Sequence, residues 1–140
     1  MVSIIIRTRN EERWINLCLS AVFNQSYRDF EVILVDNEST DKTIEKAKAF
    51  DVKVISIKDF LPGEAINLGI RSSKGDIIVC LSGHCIPVNE KWLKNLISNF
   101  DDSKVAGVYG RQQPMSFSSD RDKRNGRKDG IQAAWPSGWP

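Results

Sequence analysis

Residues 76–87 read DIIVCLSGHCIP. Ile77, Ile78, Val79, Cys80 and Leu81 are apolar at every position, not at alternate ones. That pattern predicts a strand covered on both faces, the central kind found in parallel sheets. The run stops on Ser82-Gly83-His84-Cys85, and Pro87 prevents its continuation. Ligands of open α/β sheets gather at the carboxyl ends of the strands. The one histidine of the chain, His84, therefore falls where a ligand would be held. Position alone leaves a second reading open, in which His84 only fills a loop between two cysteines.

Further strands and helices are predicted on either side of this run. Val2 to Ile6 is an apolar, β-branched first strand. Glu11 and Glu12 suit the first turn of a helix. Trp14, Leu17, Cys18, Ala21 and Val22 then recur at helical spacing, which predicts a helix over 12–24. Residues 30–35, FEVILV, form a second strand. Ser39, Thr40 and Asp41 are each good N-caps for a helix running to about Phe50. Val52 to Ile57 alternates enough for a third strand, nearer an edge. Gly63 to Ser72 is a short helix with a tight-packing glycine, Gly69. Asn89 can cap a helix through Phe100, with Trp92, Leu93, Leu96 and Ile97 on one face. Val105 to Tyr109 makes a fifth strand. The order βαβαβαβαβ implies an α/β fold: a mostly parallel sheet flanked by helices.

The composition bounds the function. The chain has 140 residues, 41% hydrophobic and 27% charged, which suits one soluble domain with a core. A net charge of +2 gives no argument for nucleic acid as a partner. No apolar run approaches the ~20 residues of a membrane span, and Met1 leads directly into a strand-like segment without a signal peptide. The three cysteines, Cys18, Cys80 and Cys85, read as free thiols in a reducing compartment. Cys80, His84 and Cys85 do not make a structural zinc spacing.

Glycine-rich phosphate loops are absent. Arg7-Thr8-Arg9-Asn10 follows the first strand where a G-x-G-x-x-G would stand, and there is no G-x4-G-K-[ST]. There is no G-x-S-x-G elbow and no second histidine for a triad. Polar groups at strand ends remain: Thr8, Arg9, Asn10 and Glu11; Asp36 and Asn37; Ser82, Gly83 and His84. In this topology the three ends can be neighbours. An acid after the second strand is suited to accept hydrogen bonds from a ribose or a base edge. It can equally be a turn former. Arg7 and Arg9 match phosphate oxygens, or are solvated surface charges. Asp41 reads as a cap.

Four stretches together resemble the donor half of family 2 glycosyltransferases, with the GT-A fold. They are SIIIRTRNEE, FEVILVDNESTDKT, GEAINLGIRSSKGDIIVCLSGHCIP and the Trp92 helix. Each is short, but they stand in the family's order and spacing and cover about residues 2–113. The resemblance implies a nucleoside-diphosphate sugar as ligand, a UDP-sugar being favoured, and inverting transfer to a saccharide or lipid-linked acceptor. It implies that Thr8 and Arg9 contact the nucleoside, that Glu11 and Asp36 hold uracil and ribose, and that Asn67 lies near the diphosphate. Asp76 matches an acid with a mostly structural role. It further implies cell-surface polysaccharide or glycolipid assembly in the cytoplasm, at the inner face of the membrane, with peripheral association.

Two departures stand out. Where the family usually carries D-x-D, this chain has Ser82-Gly83-His84. The later Asp of that motif holds a divalent metal on the diphosphate, so the resemblance makes His84 the metal ligand here. Imidazole suits Mn2+ better than Mg2+. With less negative charge, donor binding would lean on Arg7, Arg9 and Lys74. The second departure is the absence of the family's acceptor region and catalytic base after Pro114. The expected organisation is an incomplete GT-A nucleotide-sugar-binding domain over 1–114 and a flexible or truncated tail over 115–140. Ser118 to Gly130 has no large apolar residue. A non-enzymatic, nucleotide-binding or regulatory remnant of such an enzyme is the alternative.

Overall fold

The computed structural model describes residues 1–59 and 61–111. Its four strands are β1 (Val2–Thr8), β2 (Phe30–Asp36), β3 (Lys53–Ser56) and β4 (Ile77–Ser82). Its helices are α1 (Ile15–Phe23), α2 (Thr43–Ala47), α3 (Pro62–Arg71) and α4 (Trp92–Ile97), followed by a 3₁₀ turn over Ser98–Asp101. The sheet order is β3-β2-β1-β4, and every pairing is parallel. The chain divides into a unit of Met1–Leu93 and a second from Lys94 onward. Among the described residues no helix is long and apolar enough to cross a membrane.

The order explains where the helices lie. From β1 the chain steps outward to β2 and β3, then jumps back across both to β4. Right-handed crossovers in opposite directions put their helices on opposite faces of the sheet. Accordingly α3 covers the face carrying Ile5, Ile33 and Val35, which with Ala65 form one fully buried cluster. The step from β1 to β2 is bridged by α1, which buries Ile15, Cys18, Leu19 and Val22. Gly69 lets α3 approach closely: a Cβ there would lie 2.4 Å from Cγ2 of Ile5 and 3.3 Å from Cγ2 of Val35.

Several expectations change in detail. β4 was expected to be covered on both faces; instead Cys80 is exposed and Ile77 and Ile78 are half-buried. Parallel register puts Cys80 beside Ile5, on the face that α3 covers. The helix packs mainly on β1 and β2, so on the same face of β4 Ile78 still meets the buried cluster while Cys80 stands exposed. β1 is the strand that is buried along nearly its whole length. Val105–Tyr109, expected as a fifth strand, is not strand among the described residues. α1 and α2 begin later than expected because the residues ahead of them are engaged between the two loops, as described below. The predicted tail over 115–140 lies outside the described residues.

Candidate functional site

The reversal of strand order opens a crevice between the carboxyl ends of β1 and β4, where ligands of such sheets bind. Register sets its walls: Thr8 pairs with Asp36, and Arg7 with Ser82. Beyond the strands the ladder continues one step on each side. Asn37 N–H donates to the Thr8 carbonyl at 2.9 Å, and Gly83 N–H to the Arg7 carbonyl at 2.8 Å. The three strand ends expected to be neighbours are therefore neighbours.

Alternation places Arg7, Cys80 and Ser82 on the α3 face and Thr8 and Asp36 on the other. Arg7 Nη2 donates to the Ser82 hydroxyl at 3.3 Å. Thr8 is 3% exposed, and its hydroxyl has no hydrogen-bond partner among the described residues. Gly83 leaves the space beside it: a Cβ there would stand 2.9 Å from Thr8 Oγ1 and 3.2 Å from Glu11 Cγ. Into this gap Glu11 extends to His84, with Oε1 2.7 Å from Nδ1.

Asp36 is 5% exposed, and its carboxylate is already directed. Ser39 donates to it twice, from Oγ to Oδ1 at 2.5 Å and from N–H to Oδ2 at 2.9 Å. Asn37, oriented to satisfy both ends of its amide, donates to the Ile57 and Lys58 carbonyls at 3.0 and 3.1 Å. Its oxygen then accepts from Arg9 Nη1 at 3.2 Å. Arg9 is exposed but tethered beside Asp36.

The loop after β1 is fastened to the loop after β2. Asn10 N–H donates to Ser39 Oγ at 2.9 Å, and Thr40 N–H returns a bond to Asn10 Oδ1 at 2.8 Å. Glu11 N–H donates to Thr43 Oγ1 at 2.7 Å and Glu12 N–H to Asp41 Oδ2 at 3.0 Å. Lys42 N–H donates back to Glu12 Oε2 at 3.0 Å. Asn10 and Glu38 take positive φ, 52° and 45°, to make these turns. Burial pushes the Asp41 carboxyl up, but bonds from the Thr43 hydroxyl and the Thr43 and Glu12 N–H groups outweigh it and hold the group below its ordinary range.

The sequence signal for Ser39 and Thr43 was their hydroxyl chemistry near a helix start. Their partners across the gap in sequence were not visible. Asn67 is exposed on α3, and no hydrogen bond joins it to the cluster. Lys74 lies before β4, at the opposite end of the strand from Ser82, about 25 Å away at ~3.3 Å per residue. There its N–H bonds Glu31, so Lys74 cannot serve the crevice. An apolar depression lined by Leu17, Phe23, Phe50 and Ile86 shares no residue with the cluster and has no charged lining.

No three His, Cys, Asp or Glu side chains converge among the described residues. At the end of β4 the crevice offers one imidazole, His84, whose Nδ1 is already bonded to the Glu11 carboxylate. That imidazole does not cage an ion, but it fits a cation whose remaining ligands are phosphate and water oxygens.

A family model described as glycosyl transferase family 2 matches residues 3–137. The glycosyltransferase AglE of Haloferax volcanii is 39% identical over 117 residues, covering 78% of this chain and 38% of its own length. A dolichyl N-acetyl-α-D-glucosaminyl phosphate 3-β-D-2,3-diacetamido-2,3-dideoxy-β-D-glucuronosyltransferase of Methanococcus voltae is 33% identical over 123 residues, with the same two coverages. The crystal structure of Staphylococcus aureus TarS 1–349 in complex with UDP-GlcNAc superposes with a TM-score of 0.66 at 26% identity, covering 82% of this chain and 37% of that one. The chain thus spans under two fifths of the length of these three relatives.

Proposed function

The chain belongs to glycosyl transferase family 2, and on that premise we propose that it is the donor-binding part of an inverting glycosyltransferase. Its ligand is a nucleoside-diphosphate sugar, with a UDP-sugar favoured by the likeness to TarS, whose complex contains UDP-GlcNAc. The observation that carries this reading is the convergence of three parallel strand ends at the switch point between β1 and β4. Thr8, Arg9 and Asp36 line the nucleoside side. Asp36, held by Ser39, accepts from ribose hydroxyls. Arg9, tethered by Asn37, lays its guanidinium on the base. Glu11 stands at the boundary with the diphosphate, and Ser82, Gly83 and His84 face the diphosphate; Asn67, exposed on α3 and unconnected to the cluster, is assigned to the diphosphate on the family resemblance alone.

His84 is the proposed protein ligand of a divalent cation, Mn2+ before Mg2+, because imidazole prefers the softer ion. When bound, that cation neutralises the departing diphosphate as a Lewis acid. The chain's own part is to bind and orient the donor so that its anomeric carbon faces the acceptor hydroxyl. The acceptor is a saccharide or a lipid-linked sugar, and the enzyme works in the cytoplasm, at the inner membrane face. No catalytic base is assigned among these residues. We expect donor binding with little or no transfer by this chain alone.

Calorimetric titration with UDP, with and without Mn2+, tests the reading. Saturable binding that tightens with Mn2+ is expected. No binding under either condition refutes it, and turnover by the purified chain refutes the clause on transfer.

A further inference from the structure

The histidine at the end of β4 is held. Nδ1 of His84 lies 2.7 Å from Oε1 of Glu11, and the carboxylate side is the fixed partner. Glu11 is only 20% exposed against 57% for His84. Its backbone N–H is tied to Thr43, and its Cγ lies over Gly83, where any added Cβ would crowd it. Glu11 reaches His84 because position 83 has no side chain.

A carboxylate oxygen accepts, so the geometry puts the shared hydrogen on Nδ1. In the neutral ring the lone pair is then on Nε2. We propose that Glu11 is the positioning residue for His84: by accepting the Nδ1 hydrogen it selects the tautomer whose Nε2 lone pair meets the divalent cation. Histidine ligands of metals commonly donate their other nitrogen's hydrogen to a carboxylate, which fixes tautomer and ring orientation. The arrangement also compensates for the missing acids. Ser82 and His84 bring no negative charge to the end of β4, and Glu11 returns one carboxylate across the crevice from β1. This assigns Glu11 to His84 and not to a base edge. It rests on the donor-site reading above.

His84 is the one histidine of the chain, so its ring nitrogens can be read without ambiguity in long-range ¹H–¹⁵N spectra near neutral pH. The nucleotide-free protein is expected to carry the shared ring hydrogen on Nδ1. Glu11→Ala should shift the population to Nε2–H. Glu11→Gln, whose amide oxygen still accepts, should retain Nδ1–H. Mn2+ added with UDP should broaden the His84 ring signals selectively. Glu11→Ala should weaken Mn2+ binding about 10–100-fold, with Glu11→Gln rescuing most of that loss. A wild-type ring whose only hydrogen is on Nε2 overturns the proposal. So does a tautomer unmoved by Glu11→Ala, or a correct tautomer with no Mn2+ effect on His84. UDP binding by calorimetry separates the two readings. A wrong tautomer with UDP bound defeats the positioning role alone, and absent UDP binding defeats the donor site itself.

Discussion

Ser39→Ala removes the hydroxyl that joins the two loops of the crevice. In the folded chain that hydroxyl donates to Asp36 Oδ1 at 2.5 Å and accepts from Asn10 N–H at 2.9 Å. A hydrogen bond to a charged group contributes about 1.5–3 kcal/mol. The Ser39 N–H still reaches Asp36 Oδ2 after the substitution, so the carboxylate is not orphaned and the lower half of that range applies. Asn10 is exposed, so water replaces its lost acceptor at little cost. The expected loss is about 2 kcal/mol, or a fall in Tm of about 8 °C for a domain of this size. Thr40→Ala is the control, because Thr40 Oγ1 makes only a 3.4 Å exposed contact with Asn10; about 0.5 kcal/mol or less is expected. Urea unfolding monitored by circular dichroism reads both. UDP affinity should fall in the Ser39 variant, since Asp36 loses its preset orientation. Equal losses in the two variants, or a Ser39→Ala cost within about 0.5 kcal/mol of wild type, would show that the hydroxyl does not organise the site.

Gly69→Ala should destabilise by about 1–2 kcal/mol despite the better helix propensity of alanine, because its Cβ meets buried Ile5 and Val35; thermal unfolding measures this, and an unchanged or higher Tm refutes the close packing of α3. Glu31 is held below its ordinary range, first by the Ser3 hydroxyl and then by the Lys74 N–H. A depressed carboxyl stabilises the fold above its unfolded value of about 4.3, and that contribution disappears as pH falls through the lower folded value. Ser3→Ala should therefore flatten the acid limb of the stability profile, and an unaltered limb contradicts the assignment. Burial pushes the Cys18 thiol up to about 12, so alkylation followed by mass spectrometry should find it protected in the native protein at mildly alkaline pH. Stability should fall as pH rises from about 9 towards 12, where only the unfolded thiol ionises; rapid native labelling of Cys18 would contradict its burial.

The parts of the fold legible in the sequence were those written in local pattern. The all-apolar runs of β1 and β2, the helical spacing around Leu17 and Cys18, and Gly69 each carry their own signal. Even the neighbourhood of the three strand ends followed from the alternation of strands and helices. The position of β4 did not. An apolar run indicates what a strand tolerates, whereas coverage depends on where α3 lands, and it lands on β1 and β2, leaving Cys80 open. Lys74 looked available for a diphosphate because sequence proximity to Ser82 hides the length of the strand between them. The loop contacts were illegible for another reason. Asn10 with Ser39, Glu11 with Thr43 and Glu12 with Asp41 are separated by about thirty residues, and no local propensity encodes such a pairing. The Glu11–His84 contact is separated by 73 positions, further still.

The central claim is that nucleotide binds at the carboxyl ends of β1, β2 and β4. Amide ¹H–¹⁵N spectra recorded while UDP is added with diamagnetic Mg2+ in place of Mn2+ test it most directly. Saturable shifts should concentrate at Thr8, Arg9, Asp36, Asn37, Gly83 and His84. Shifts centred on Lys74, Gly75 and Asp76 at the other end of the sheet, or none that saturate, would contradict it.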